Sequence, residues 1–347
     1  MTDFSKYIIS DEATIREALI ALEHLSNDVL TLFVVSKKKL VGTITDGDIR
    51  RALIRNIALD TSVVEIMNSH FTSIAPKEND IKKINAIRNK GIELLPCIDE
   101  MGELVRIYNL RKKKSLLPID AVLMAGGKGE RLRPLTEKTP KPLLKVGSKA
   151  IIDYNVENLI SYGVEDIHVT VNYLAEQLHE HFFEKIENCK INCVQEDEFL
   201  GTIASVKLIP NIKNDDVLIM NSDLFTNIDF EDFYCHFKEK DADMSVAAIP
   251  YSVNIPYGIF ELEGRDVKGI KEKPTYNYYA NAGIYLIKKE LLEVIPLNTF
   301  FDATDFMSLL ISQNKRVTRY PLVGYWIDIG KPEDYQKAQD FVKHIVR

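Results

Sequence analysis

A chain of 347 residues is longer than one ordinary domain, so two domains are expected, each able to bury a core. Its apolar (46%) and charged (27%) fractions are those of a globular protein, and a net charge of −7 speaks against a nucleic acid or an anionic membrane as partner, since either would want an excess of Lys and Arg on one face. Local basic stretches are then left to serve small anions. The start, MTDFSKYIIS, carries no basic region, long apolar stretch or small-residue cleavage site, and no apolar run is long enough to span a bilayer, so a cytoplasmic protein is expected. Cys97, Cys189, Cys193 and Cys235 are too few and too scattered for a disulfide framework, and Cys189 and Cys193 have no second pair of ligands for zinc, which leaves buried free thiols.

Residues 1–116 contain two units of similar order: a polar extended lead-in, an amphipathic helix, an apolar strand, a charged turn, a second strand and a short helix. The first runs from TIREALIALEHL through LTLFVV to KLVGTITDGDIRRALIRN, the second over DIKKINAIRNKGIELLPCIDEMGELVRIYNLRKK. In an internal repeat of this size neither half buries its sheet face alone, so the two are expected to pack into one small α/β unit. RKKKSLLP (111–118) reads as a charged linker ending at Pro118.

VGTITDGDIRRAL (41–53) is the best local match in a repeat that resembles a pair of CBS motifs, small modules that often sense adenine nucleotides. By that resemblance Thr45 and the acid three positions on, Asp48, contact a nucleotide's phosphate and ribose. The residues fit a helix N-terminus equally well, with Thr45 or Asp46 as the cap. ELVRIYNLRKK in the second unit lacks the hydroxyl and acid pair, so at most one ligand site is implied. A nucleotide-sensing domain and a packing or dimerisation module both stay open. CBS pairs frequently associate face to face, and a homo-oligomer is expected.

From residue 119 apolar strands alternate with helices: DAVLMAG, IIDYNVENLISYGV, DIHVTVNY, AEQLHEHFFEKI, INCVQE, TIASVKLIPNI and DVLIMNSD. Alternation of this kind predicts an α/β domain with a mostly parallel, Rossmann-like sheet and ligands beyond the carboxyl ends of its strands. His179 and His181 are expected on a solvated helix whose core face is Phe182 and Phe183.

GGKGERLRP (126–134) begins at such a strand end. A dinucleotide fingerprint fails because Leu132 stands at its third glycine, and a Walker loop fails for want of a terminal G-K-[ST]. A triphosphate loop of another kind remains. Gly126, Gly127 and Gly129 let backbone N–H groups approach an anion, Arg131 and Lys141 bring fixed charge, and Pro134, Pro140 and Pro142 stiffen the chain that carries it.

Residues 126–143 resemble the signature of the sugar-1-phosphate nucleotidylyltransferases, G-G-x-G-x-R-[LM]-x-P-L-T continuing to P-K-P-[LM], and further motifs follow in that family's order through residues 119–347. The resemblance implies that a sugar phosphate oxygen, already ionised, attacks the α-phosphorus of a nucleoside triphosphate while pyrophosphate leaves in line. Such a reaction needs fixed positive charge and Mg²⁺ more than a general base. Arg131 would bind the β and γ phosphates and Lys141 would assist at the reacting phosphate. Asp223, ending DVLIMNSDL (216–224), and Asp328, in YWIDIGKPEDY (325–335), match the aspartates that coordinate Mg²⁺, an ion suited to hard oxygen ligands. A strand-end Asp taken alone caps the following turn just as well.

IPYGIFEL (255–262), IKEKP (270–274) and YANAGIYLI (279–287) resemble the family's sugar-side segments. They imply that Gly258 approaches the sugar, Glu272 accepts its hydroxyls, Lys273 grips its phosphate in a partly dry pocket as a catalytic group, and Asn281 donates to ring substituents. CVQEDEFLGTIASV (193–206) resembles the nucleobase loop of guanylyltransferases of the mannose-1-phosphate and heptose-phosphate type, placing Gln195, Glu196, Gly201 and Thr202 on the nucleotide. A carboxylate such as Glu196 can accept from guanine N1 and the exocyclic amine, which favours GTP, whereas Gln195 matches a glutamine of uridylyl and thymidylyl relatives.

A CBS pair ahead of a compact transferase domain without a long C-terminal β-helix is similar to the glucosamine-1-phosphate guanylyltransferases of bacterial legionaminic acid biosynthesis. GTP and glucosamine 1-phosphate are the substrates this implies. Mannose or heptose 1-phosphate, or a uridylyl or thymidylyl donor, are alternatives. The rival class is a non-catalytic nucleotide-sensing regulatory subunit; such subunits lose charged positions, whereas Arg131, Lys141, Asp223, Lys273 and Asp328 are all present.

Overall fold

The computed structural model describes residues 4–76, 78, 80–184, 186 and 189–345. They fall into two compact units divided between Leu117 and Pro118, with Ser161–Gly163 counted with the first. No helix among the described residues is long and apolar enough to cross a membrane.

In the first unit β1 (Ile8–Ser10), α1 (Ile15–His24), β2 (Thr31–Ser36), β3 (Lys39–Thr45) and α2 (Asp46–Ile54) build a three-stranded sheet in the order β1-β2-β3 with two helices. α1 begins where it does because Thr14 and Glu17 form a capping box, each side chain accepting the other's backbone N–H. Ile15, Ala18 and Leu22 recur at helical spacing and bury against Leu32, Phe33 and Ile44. The second half of the repeat supplies α3 (Ile81–Asn89), β4 (Leu94–Ile98) and β5 (Leu104–Asn109). Leu94 and Ile107 from this half join the first half's core, the mutual burial that the repeat predicts.

A closing helix is missing from the second half. The Asn109 side chain instead accepts the N–H groups of Arg111 and Lys112, at 3.1 and 3.2 Å, and turns the chain over a stretch with too few apolar residues for a helix to bury. Of the four cysteines only Cys97 is fully buried. Cys189, Cys193 and Cys235 are half-buried, and none of the four is in a disulfide among the described residues.

The second unit opens with β6 (Ile119–Ala125), followed by the short strands β7 (Lys145–Val146) and β8 (Lys149–Ala150), then α4 (Ile151–Ser161), β9 (Asp166–Val171), α5 (Ala175–His181), β10 (Ile191–Gln195), β11 (Asp216–Asn221) and β12 (Leu224–Thr226). It continues with α6 (Phe230–Glu239), β13 (Met244–Asn254), β14 (Ile259–Glu263), β15 (Asp266–Lys271), β16 (Thr275–Lys288), α7 (Ala303–Ser312), β17 (Val317–Pro321), β18 (Trp326–Asp328) and α8 (Pro332–Ile345). Seven strands form the central sheet in the order β10-β9-β6-β11-β16-β13-β17, parallel at every pairing except those of β16 with its two neighbours.

β6 is apolar nearly throughout because both of its faces are covered. Val122 joins a core with Ile219, Tyr285, Phe306 and Leu310, while Ala121, Leu123 and Ala125 bury on the opposite side. From β6 the chain steps outward through β9 to β10, then returns to β11 on the other side. The strand order therefore reverses between β6 and β11, and their carboxyl ends open the crevice where such sheets bind ligands.

Two predicted helices are shorter than expected. TIASVKLIPNI holds only a 3₁₀ turn, Ala204–Leu208, since Pro210 drives Ile209 into extended backbone. α5 stops at His181, so Phe182 is buried but Phe183 is 88% exposed and off the core face; Lys185 of that stretch lies outside the described residues. His181 Nε2 lies 2.6 Å from Asp153 Oδ1.

Candidate functional site

The crevice is floored by loops whose shape follows from small residues. Gly126 leaves β6 against Glu196, where a Cβ would stand 2.7 Å from Glu196 Oε1. Gly127 is exposed and faces open space. Gly129 has φ +63, and a Cβ there would meet Thr136 Cγ2 at 3.0 Å and Lys141 Cβ at 3.2 Å. The backbone carbonyl of Gly129 accepts the Thr136 hydroxyl at 2.8 Å. Glu130–Leu132 then form a 3₁₀ turn that buries Leu132 among Leu144, Val146, Ile329 and Val342. That anchor turns Arg131 outward, with its guanidinium against Gly330.

Lys141 lies on a second 3₁₀ turn, Lys141–Leu143, stiffened by Pro140 before it and Pro142 within it. Its ammonium pairs with the Asp223 carboxylate and lies 4.0 Å from Asp328 Oδ1. The two aspartates come together because Leu224 pairs with Asp328 in the antiparallel β12–β18 ladder and the Ile329 N–H donates to the Asp223 carbonyl at 3.2 Å. Partial burial, followed by the charge of Asp223, holds the Asp328 carboxyl above the usual carboxylate range, while Lys141 and Arg131 oppose the shift.

Asp223 Oδ1 is buried and has no hydrogen-bond partner among the described residues. An orphaned carboxylate oxygen beside a second carboxylate fits a divalent cation, because an unpaired buried acceptor is costly and hard cations take oxygen ligands. Among the described residues no group of three or more His, Cys, Asp or Glu is placed to hold a metal, and Asp223 and Asp328 are the carboxylates that could contribute to holding one here.

Sequence motifs alone miss the residues that hold Asp223. The buried Asn155 amide donates to the Ser222 and Leu224 carbonyls at 3.3 and 2.9 Å, and the Ser222 hydroxyl donates to the Met124 carbonyl at 2.7 Å. An Asn on the buried face of a predicted helix was the available signal.

Gln195 ends β10 and is exposed. Glu196 departs from the expectation of a carboxylate open to a base: it is 2% exposed, turned inward, and accepts the Leu200 N–H at 3.1 Å. Burial pushes its carboxyl up, against the bonds from Leu200 and Ser205. Gly201 has φ +88, and Thr202 follows it on the side facing Asp302.

Sugar-side positions lie where β13 and β16 run beyond the sheet as an exposed ribbon carrying the β14–β15 hairpin. Gly258 and Glu272 meet there, a Cβ on the glycine falling 3.0 Å from Glu272 Oε2. Lys273 has φ +44, is exposed rather than held in a dry pocket, and forms no ion pair among the described residues. It sits at the junction of ribbon and hairpin, between β15 and β16 and outside the central sheet. The Asn281 amide is bound within its own strand, donating to the Tyr285 hydroxyl and accepting from the Gly283 N–H, both at 2.9 Å.

In the first unit Thr45, not Asp46, caps α2. Asp48 Oδ2 accepts the Thr45 N–H at 2.8 Å and the Thr45 hydroxyl at 2.6 Å, and Asp48 Oδ1 accepts Arg51 at 2.6 Å. Burial acts against it, but these bonds hold the Asp48 carboxyl below its ordinary value.

Residues 120–344 match the nucleotidyl transferase family, and residues 3–55 match the CBS domain. A mannose-1-phosphate guanyltransferase of Schizosaccharomyces pombe is 32% identical over 226 residues, covering 62% of this chain and 62% of that protein. The bifunctional protein GlmU of Methanocaldococcus jannaschii is 30% identical over 231 residues, 65% of this chain and 54% of that protein. Among solved structures HddC from Yersinia pseudotuberculosis gives a TM-score of 0.52 at 26% identity, covering 65% of this chain and 99% of that one. HddC complexed with GMP-PN gives a TM-score of 0.50 at 25% identity. The chain thus spans 62% or less of the length of these two sequence relatives.

Proposed function

We propose that this chain, which belongs to the nucleotidyl transferase family, joins GTP to glucosamine 1-phosphate and releases pyrophosphate. The observation that carries the reading is the convergence of Arg131, Lys141, Asp223 and Asp328 beyond the carboxyl ends of β6 and β11. A sugar phosphate oxygen is ionised at neutral pH, so the protein's task is to hold two anions against their repulsion and to neutralise charge as the α-phosphorus is attacked. The open backbone at Gly127 admits the triphosphate, Arg131 binds its β and γ phosphates, and Lys141 is within reach of the reacting phosphate. Asp223 and Asp328 would hold Mg²⁺, which supplies positive charge to the phosphates of the nucleotide. Lys273 and Glu272, on the ribbon, are the groups proposed to take the sugar phosphate and the sugar hydroxyls.

Guanine is favoured by the yeast relative, a mannose-1-phosphate guanyltransferase, and by the complex of HddC with GMP-PN. Glucosamine 1-phosphate is favoured by the order of domains, a CBS module ahead of the transferase as in legionaminic acid biosynthesis. Mannose 1-phosphate is the second reading, favoured by the same yeast relative. Pyrophosphate release is to be measured with each of the four ribonucleoside triphosphates and dTTP against glucosamine, mannose, heptose and glucose 1-phosphates, with and without Mg²⁺. GTP with glucosamine 1-phosphate and Mg²⁺ should turn over fastest. Silence with every pair would leave the nucleotide-sensing regulator as the function.

A further inference from the structure

Asp302 occupies the N-cap position of α7, with extended backbone (φ −92, ψ 156), yet its side chain makes no capping bond to its own helix. Aspartate is among the best N-caps, so a diverted one has another partner. Asp302 Oδ1 accepts both the Thr202 N–H and the Thr202 hydroxyl, each at 3.0 Å. The Thr202 oxygen in turn accepts the N–H of Ala303, the first residue of α7, at 2.8 Å. The cap of α7 is thus supplied from a loop 101 positions earlier in the chain, and the helix's own carboxylate holds that loop.

Neighbouring contacts make the exchange exacting. The Phe301 N–H donates to the Leu200 carbonyl at 2.9 Å, and the Ile203 N–H donates to the Phe301 carbonyl at 3.2 Å. Between them Gly201 has φ +88, and a Cβ there would stand 2.8 Å from the Phe301 oxygen and 3.1 Å from Asp302 Oδ1. At its other end the same loop is tied by Glu196 to Leu200 and abuts Gly126 of the glycine-rich loop.

We propose that Asp302 is a positioning residue for nucleotide recognition: it acts through Thr202 to hold residues 196–202 in the shape that meets the nucleobase. The inference rests on the nucleotidyl transfer reading above. An aspartate elsewhere at this N-cap would serve its own helix; here one carboxylate oxygen satisfies two donors of a loop that contacts the glycine-rich floor of the crevice.

The test measures Mg²⁺-GTP binding by equilibrium titration and steady-state turnover with GTP and UTP for the full chain, for Asp302→Ala and for Asp302→Asn. Asp302→Ala should raise KM and Kd for GTP by roughly tenfold, change kcat by less than about threefold and narrow the preference for GTP over UTP, as expected when binding is lost without loss at the reacting atoms. Asp302→Asn keeps the acceptor oxygen and should restore values close to those of the unaltered chain. If Asp302→Ala does not fold, Thr202→Val, which keeps the backbone N–H bond and loses the hydroxyl, should give a smaller rise in KM in the same direction. Unchanged nucleotide affinity in the alanine variant, or asparagine failing as alanine does, overturns the proposal. An unaltered chain that binds no nucleotide overturns instead the reading on which the proposal rests.

Discussion

Lys141 and Asp223 stand 82 positions apart in the chain and form an ion pair over the carboxyl ends of the central strands, with the Lys141 ammonium also 4.0 Å from Asp328. The Lys141 ammonium is shared by the two carboxylates and the Arg131 guanidinium also acts on Asp328, so two cations face two carboxylates at this site. Removing Lys141 as Lys141→Ala should cost on the order of 10²- to 10³-fold in kcat, the scale of a lost transition-state donor, with a smaller change in KM. Asp223→Asn should weaken the apparent affinity for Mg²⁺. A chelator should stop turnover without shifting the far-UV circular dichroism, and activity that persists in chelator removes the metal from the reaction.

Glu196 titrates against its surroundings. Its folded-state pKa lies above the ordinary value, chiefly through burial, so folding disfavours the ionised form relative to a free glutamate. Stability from this group is complete below the ordinary glutamate value, about 4.3, and is lost as pH rises through the raised folded value. Glu196→Gln should therefore raise the melting temperature at pH 8, and the gain should vanish by about pH 4. Thermal melts across that range decide the point; a gain that persists at acid pH removes the titration as its cause.

At the amino end of β6, Asp120 is fully buried and accepts the backbone N–H groups of Lys213 and Asn214 and the Asn214 amide. Asp120→Ala strips those donors of their partner and should lower stability by about 2–4 kcal/mol. Asp120 lies at the opposite end of the strand from Gly126, so kcat and KM below the transition should stay unchanged. A large loss of turnover in the folded variant would show that the two ends of the sheet are coupled.

Thr45 and Asp48 answer each other in a capping box, and Arg51 takes the remaining carboxylate oxygen. If this unit binds an adenine nucleotide at Thr45 and Asp48, AMP or ATP should shift the KM of the transferase reaction and Asp48→Ala should abolish the response. A melt of the variant separates loss of the cap, which should cost about 1 kcal/mol, from loss of a ligand. No response to either nucleotide leaves the box as a helix cap alone.

Much of the site was legible in short stretches. GGKGERLRP marks its own position because three glycines, an arginine and a proline at that spacing constrain backbone and charge together, and Asp223 follows an apolar run that is evidently a strand. Other expectations depended on contacts that no local pattern encodes. Phe183 follows Phe182 in an apolar pair, but α5 ends at His181 and leaves it in solvent. Glu196 is spaced as a base-reading carboxylate, but Gly126 and the Leu200 N–H enclose it. Lys273 stands in the expected motif, but the ribbon carries it outside the sheet.

The amino-acid sequence determined by itself most of the alternation of strands and helices after residue 118, where the glycine-rich loop begins, and which charged side chains that loop carries, because each of these follows from residue type and spacing within a few positions. Only the tertiary structure decided that Lys141 bridges two aspartates and that Asp302, a natural cap for its own helix, is spent on a loop 100 residues away. Those pairings are chosen by the register of strands and the packing of loops across the sheet, and a hydrogen bond between distant residues leaves no periodicity in the chain that makes it.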